Sequence, residues 1–118
     1  MVYVPTGWHL PGDAEWTELT NSLGGGSVAG DKLKESGTTH WTSPNAGATN
    51  ETGFTALPGG GRDLDGSFKF FNGYGNWWSA TEGSASSAWG RRMYYDGGGV
   101  LKVSGSNELG FSVRCVRD

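Results

Sequence analysis

The sequence predicts an α+β fold, on three observations. Apolar residues recur at helical spacing only in the first 35 positions, and short β-prone runs between Gly-rich turns fill positions 68 to 116. Between them, residues 36 to 66 show almost no period and many Gly, Thr, Asn and Pro. Such a stretch in a small domain is functional or stapled down by its own aromatics. Twenty-two glycines in 118 residues would suggest disorder, against a usual share of roughly 7%, but six tryptophans supply burial that a disordered chain lacks. The expectation is one domain over residues 1–118, with two N-terminal helices, a small irregular antiparallel sheet and long Gly-rich loops.

The chain opens on Val2-Tyr3-Val4, a β-prone run closed by Pro5. Gly12-Asp13-Ala14-Glu15 has the form of a helix start, with Gly12 as N-cap and acids in the first turn. Trp16, Leu19 and Leu23 then form one apolar stripe, and Gly24-Gly25-Gly26 ends the helix. Ser27 to Glu35 reads as a second, short helix that buries Val28 and Leu33 and leaves Lys32, Lys34 and Glu35 solvated. Trp41, Phe54 and Leu57 are the expected staples of the irregular stretch. Phe68-Lys69-Phe70-Phe71 is a brief extended piece. Leu109 to Val116 reads as the last strand, with Phe111, Val113 and Cys115 on its inward face.

Residues 73 to 96 hold three of the six tryptophans and three of the four tyrosines, in two extended runs around a Gly/Ser turn. Alternation puts Trp89, Arg91, Met93 and Tyr95 on one face of the second run and Ala88, Gly90, Arg92, Tyr94 and Asp96 on the other. The first set carries the larger apolar volume and is assigned to the core. The second is assigned to water or a ligand, because rings interleaved with polar groups make adaptable binding surfaces. The plainer reading is that the rings merely cover a small core. Gly97-Gly98-Gly99 turns the chain into Val100 to Val103, so residues 88–95 and 100–104 form a hairpin. Pairing brings Leu101 and Val103 beside Arg92 and Tyr94.

Four motifs carry a family resemblance: Gly-Trp-His-Leu-Pro-Gly-Asp-Ala-Glu-Trp-Thr-Glu-Leu at 7–19, Gly-Phe-Thr-Ala-Leu-Pro-Gly-Gly at 53–60, Trp-Trp-Ser-Ala-Thr-Glu at 77–82 and Gly-Phe-Ser-Val-Arg-Cys-Val-Arg at 110–117. Together they resemble the Fibrobacter succinogenes major paralogous domain of exported and surface bacterial proteins. That family is similar to the formylglycine-generating, sulfatase-modifying family and to C-type lectin-like domains. The resemblance implies a C-type lectin-like fold with residues 73–108 supplying much of the ligand face. It also implies kinship with variable proteins diversified in that segment. Family members usually have further sequence ahead of Gly-Trp-His, including a strand that helps close the sheet; the resemblance implies either that Val2–Val4 stands in for it or that the chain is a trimmed or minimal form. They commonly have Cys-Pro before that motif; Val4 stands there instead, and Cys115 has no mate.

The function expected is a non-enzymatic module of a bacterial surface or secreted protein that recognises a glycan or protein. The candidate ligand residues are Tyr74, Asn76, Arg92, Tyr94, Asp96, Leu101, Val103 and Asn107. The alternative is a structural or spacer domain without its own ligand. Oxidation of the formylglycine-generating type would need a reactive cysteine pair to bind copper, and one inward cysteine does not supply it. His9 and His40 pair with no nucleophile at readable spacing. No cofactor is expected. Asp63-Leu64-Asp65-Gly66 starts like a calcium loop, which makes Asp63 and Asp65 the weak calcium candidates, but no bidentate glutamate follows at the usual distance. The plain reading is an Asp-rich turn. A net charge of −3 gives no basis for nucleic-acid affinity, and no apolar run approaches the roughly 20 residues of a membrane helix. The first residues are not a signal peptide, so an export signal would lie outside this chain.

Overall fold

A computed structural model describes residues 4–118 of the chain. The Val2-Tyr3 part of the opening β-prone run lies outside the described residues. The elements are β1 (Trp8–His9), α1 (Asp13–Ser22), α2 (Ala29–Leu33), β2 (Gly61–Arg62), β3 (Phe68–Lys69), β4 (Tyr74–Ser84), β5 (Ser87–Tyr94), β6 (Val100–Ser106) and β7 (Val116–Arg117). Strands β4, β5 and β6 form an antiparallel sheet, while β1 pairs with β7 and β2 with β3. The fold is α+β, with two helices and small antiparallel sheets, as the periodicities predicted.

Register divides the three-stranded sheet into two faces, because residues directly opposite share a side. Tyr74, Asn76 and Trp78 stand opposite Tyr94, Arg92 and Gly90, and Leu101 and Val103 stand opposite Arg92 and Gly90. The other face carries Trp77, Arg91, Met93 and Val100. There Trp77, Met93 and Val100 are buried with Trp16 of α1, Ala29 and Leu33 of α2, and Trp41 and Ala56 of the irregular stretch. The apolar stripe of α1 faces this core, with Trp16 buried and Leu19 and Leu23 packed against it.

Polar contacts fix α1 on the sheet. Thr81 Oγ1 accepts a hydrogen bond from the Asp13 amide at 2.8 Å, serving one of the donors that a helix N-terminus leaves open. Gly12 has no side chain for that task, and its own amide donates to Glu15 Oε1 at 3.1 Å. The Asp13 carboxylate lies 2.8 Å from Arg91 Nη1 and 3.0 Å from Lys102 Nζ. Burial pushes that carboxyl up, but the bonds with Lys102 and Arg91 outweigh it and hold it below the usual carboxylate range. Arg91 also donates to the Asp13 carbonyl and to Thr17 Oγ1, each at 3.2 Å. This explains a charged residue on a core face.

Helix α2 is shorter than expected, and two of its flanking residues are reversed. Val28, assigned to the core, is exposed. Lys34, assigned to solvent, is fully buried at 0% exposure. Its ammonium donates to the Tyr94 carbonyl at 2.6 Å and to the Gly97 carbonyl at 2.8 Å, and lies 5.4 Å from the centre of the Trp41 ring. Desolvation lowers its pKa, and Asp31 and Asp96 act against that shift. The reversal follows from close approach of the backbones. The Gly30 amide donates to the Gly98 carbonyl at 2.8 Å. A Cβ at Gly30 would stand 2.6 Å from the Gly99 oxygen. With the glycine turn this close, the residue one turn after Gly30 is carried under it.

Trp41 does staple the irregular stretch: it is buried, and its Nε1 donates to the Ala56 carbonyl at 3.0 Å. Phe54 packs on the core, but Leu57 is exposed. The expected last strand is broken. Gly110 bridges Arg62, Ser112 bridges Trp77, and only Val116–Arg117 is a regular strand. Val113 is consequently exposed, and Cys115 is half-buried rather than in the core. Trp89 is also corrected. It lies on the inward face by alternation but outside the buried cluster, half-buried, with Lys102 Nζ 4.3 Å from its ring centre. Tyr95 follows β5 and packs against the core from its rim.

Lys34→Met should lower stability by about 2–4 kcal/mol, because two inward carbonyls lose their donor while the volume is kept. Chemical denaturation of the variant checks it; an unchanged midpoint would refute the bonding role. Trp77→Ala should lose about 3–5 kcal/mol as a core truncation. Trp89→Ala should lose only about 1–2 kcal/mol, since its ring is half in water. Equal losses in the same assay would contradict the placement of Trp89.

Candidate functional site

The face turned away from the helices gathers four of the candidate residues at one end. Tyr74 and Tyr94 meet edge to face at 5.0 Å between ring centres, and Phe70 stacks on Tyr74 at 5.0 Å. The Arg92 guanidinium lies 5.7 Å from the Tyr74 ring centre, and its Nε donates to Asn76 Oδ1 at 2.6 Å. Asn76 Nδ2 in turn donates to the Gly60 carbonyl at 3.0 Å. Asn76 is only 2% exposed, which corrects its expected place on a ligand surface. It lies under the loops at residues 58–61 and 110–112, where its carbonyl accepts from the Ser112 amide. Its role is to position Arg92.

The other four candidates are spread out. Leu101 is exposed and lies across the strand from Arg92. Val103 is half-buried beside Gly90, toward the stacked pair Trp78 and Phe111, whose ring centres are 4.1 Å apart. That stack requires glycine beneath it: a Cβ at Gly105 would lie 3.0 Å from Trp78 and 3.1 Å from Phe111. Asp96 is exposed in the turn after β5, on the side of Lys34. Asn107 lies at the far end of β6, its amide bonded to the Ser86 carbonyl at 2.9 Å. These residues do not form one site with Tyr94.

Sequence reading missed the aromatic margin. Phe68, Phe70 and Phe71 are 64%, 63% and 58% exposed, and Phe68 and Phe71 stand 5.8 Å apart. A signal was present. Three rings in four residues cannot all face one core from a strand whose side chains alternate. Phe70 also adopts φ 61°, a left-handed conformation that a bulky residue seldom takes.

Behind this margin is a hollow of about 190 Å³ lined by Arg62, Asp63, Lys69, Phe70, Arg92 and Phe111 among others. A second hollow of about 360 Å³ shares Arg62 and Phe111 with it and reaches Phe68. A third groove, about 450 Å³, lies elsewhere, between α1 and Phe54. Arg114 is stacked 4.2 Å over the Phe54 ring along that groove. Its walls are the outer flank of the core, whereas the smaller hollow concentrates unpaired charge, and recognition chemistry depends on such convergent polar groups.

Asp63 and Asp65 turn into their own loop. Asp63 Oδ1 accepts from the Leu64 amide at 2.7 Å, and Asp65 Oδ1 accepts from the Ser67 amide at 2.9 Å and its hydroxyl at 2.6 Å. The Ser67 hydroxyl and amide hold the Asp65 carboxyl below the usual range. Among the described residues there is no group of three or more His, Cys, Asp and Glu that could hold a metal ion. No helix among them is long and apolar enough to cross a membrane.

His9 is a junction between segments. Its Nε2 lies 2.9 Å from Glu15 and its Nδ1 lies 2.7 Å from Asp118, joining β1, the start of α1 and the chain after β7. Hydrogen bonds to Glu15 and then to Asp118 raise its pKa. The bond with His9, with help from the Gly12 amide, lowers that of Glu15. His40 pairs with Glu35 at 2.9 Å on the surface.

The described residues thus form a small α+β domain that buries its core on one face of a three-stranded sheet and presents rings and an arginine on the other. The chain belongs to the Fibrobacter succinogenes major domain family, whose profile matches residues 2–117. No curated protein and no solved structure matches it.

The histidine junction gives a pH window. A raised His9 pKa adds stability that is complete below its ordinary 6.5 and is lost as pH climbs through the raised value. A lowered Glu15 pKa adds stability that is complete above its ordinary 4.5 and is lost as pH falls through the lowered value. The melting-temperature gap between wild type and His9→Gln should therefore be widest between those two ordinary values and shrink above them. A gap that does not vary with pH would mean that the pairing is not ionic.

Proposed function

We propose that this domain is a non-enzymatic ligand-binding module of a bacterial surface or secreted protein, recognising a glycan or protein through the face that carries Tyr74, Arg92 and Tyr94. The observation that carries this reading is the exposed aromatic margin. Three phenylalanines more than half exposed, joined to two tyrosines and an arginine, form a surface of the kind that marks interaction sites in soluble proteins. The left-handed backbone at Phe70 adds to it, since strain of this kind tends to be kept at functional positions. The motifs of the sequence further support a C-type lectin-like fold related to the sulfatase-modifying family, with binding rather than oxidation as its activity. A lone half-buried cysteine fits that choice. Without a ligand, the same face would serve only as a contact surface in a spacer domain.

Phe70→Asn separates the two. Asparagine is at ease at φ 61°, so the variant should melt at or slightly above the wild-type temperature, within about 0.5 kcal/mol. Binding on a glycan array or to a surface-protein panel should fall about 10-fold or more, the loss expected of a ring at a binding hot spot. Wild-type protein that binds nothing on either would favour the spacer, and binding that Phe70→Asn leaves intact would move the ligand site off this face.

A further inference from the structure

The hollow behind Phe70 concentrates positive charge in a chain whose net charge is −3. Arg62, Lys69 and Arg92 converge on it; Asp63 is the one carboxylate in its lining, and Asp65 acts on Lys69 from the neighbouring loop. Among the described residues none of these three cations is in an ion pair with a carboxylate. Arg62 spends its Nε on the Gly66 carbonyl at 3.3 Å. Arg92 is the most constrained. Its Nε is held by Asn76 at 2.6 Å, and Asn76 is itself fixed to the Gly60 carbonyl. No acceptor among the described residues occupies the two terminal nitrogens of Arg92. A guanidinium locked by one edge presents the rest of its planar fork, the geometry that pairs with a carboxylate through two parallel hydrogen bonds.

We propose that this hollow takes a hexuronate residue of an acidic polysaccharide, its carboxylate on Arg92 and its ring against Phe70. This rests on the reading of the same face as a binding surface. Size and chemistry select the occupant. A volume of about 190 Å³ holds the equivalent of roughly six waters at about 30 Å³ each, room for one substituted six-membered ring. Phe70 and Phe111 give the lining apolar surface for the apolar side of a sugar, and Lys69 and Arg62, also in the lining, add attraction without fixed geometry. Three cations face one carboxylate, Asp63, so the hollow is net positive and favours an anionic sugar over a neutral one. The exposed phenylalanines beside the hollow extend the contact to neighbouring sugar units, as a polymer would require.

The test is titration calorimetry of the whole chain with tetramers of galacturonic acid, of glucuronic acid and of galactose, and with a short peptide ending in a free carboxylate. One of the acidic tetramers should bind, the galactose tetramer should bind at least about 10-fold more weakly, and affinity should fall with added salt. Arg92→Gln should reduce acidic binding about 10-fold or more, and Arg92→Lys, which keeps the charge but not the fork, should not restore it. Loss of Arg92 leaves the buried Asn76 oxygen without its donor and can disturb the local fold. The double variant Arg62→Gln, Lys69→Gln changes only exposed side chains and should weaken acidic binding roughly 2- to 5-fold with no change in melting. Equal binding of acidic and neutral tetramers, insensitive to these variants, would overturn the uronate assignment while leaving the face as a binding surface. Binding of the peptide alone would replace the glycan with a protein terminus and also overturn it. No binding by any probe would remove the uronate site, and Phe70→Asn on the glycan array would then decide whether the wider reading falls with it.

Discussion

The buried ammonium of Lys34 ties together the parts of the molecule that have no periodicity of their own. A cation taken out of water is costly unless its donors are used, and here two carbonyls at the end of β5 and in the glycine turn take them. That arrangement holds α2 against the turn, places Trp41 beside the amine and brings Ala56 into bridge contact with Lys34 itself. It also fixes the Tyr94 backbone from beneath, so the ring on the opposite side of the strand projects from a rigid platform. The face proposed for binding is therefore supported by a residue that does not reach it.

A second constraint works at the other flank of the sheet. Asp13 is at once the first residue of α1, the ion-pair partner of Arg91 and Lys102, and the donor of an amide to Thr81. Helix, central strand and edge strand thus meet at one carboxylate. Core burial and these polar ties lie on the same face, and the outward face adds the Trp78–Phe111 stack and the buried Asn76 to the packing. Tyr74, Tyr94, Phe68 and Phe70 can accordingly vary at small cost in stability, which is what a recognition surface needs. Arg92 is the exception, because its hydrogen bond to buried Asn76 makes it part of the framework as well as of the surface.

Residue pattern alone determined the α+β class, the amphipathic α1, the turn positions and the two faces of the β4–β5–β6 sheet. These are consequences of local period, and period 2 or 3.6 is written in the chain. The pairing of Arg92 with Leu101 and the common side of Tyr74 and Tyr94 follow from it. The four motifs likewise carried the family. What period does not encode is depth. Alternation gave the correct side for Trp89, but whether a helix covers that end of the sheet depends on where α1 begins, at Asp13. The same limit misplaced Asn76, correctly outward in register yet covered by loops from residues 58–61 and 110–112. Cys115 was misplaced because backbone bridges from Arg62 and Trp77 break its segment before it can run as a strand.

Lys34 shows the boundary most clearly. In sequence it is one of several charged residues at a short helix, and nothing local distinguishes it from Lys32. Only the approach of Gly30 to the Gly97–Gly99 turn, some sixty-odd positions away, carries Lys34 beneath the carbonyls of Tyr94 and Gly97. The sequence by itself determined which residues alternate, which repeat on a helix and where glycine allows the chain to turn. The tertiary structure alone decided which charges are buried, which rings are left in water and which cations converge on one hollow. Those outcomes depend on contacts between segments remote in the chain, and no local period specifies them.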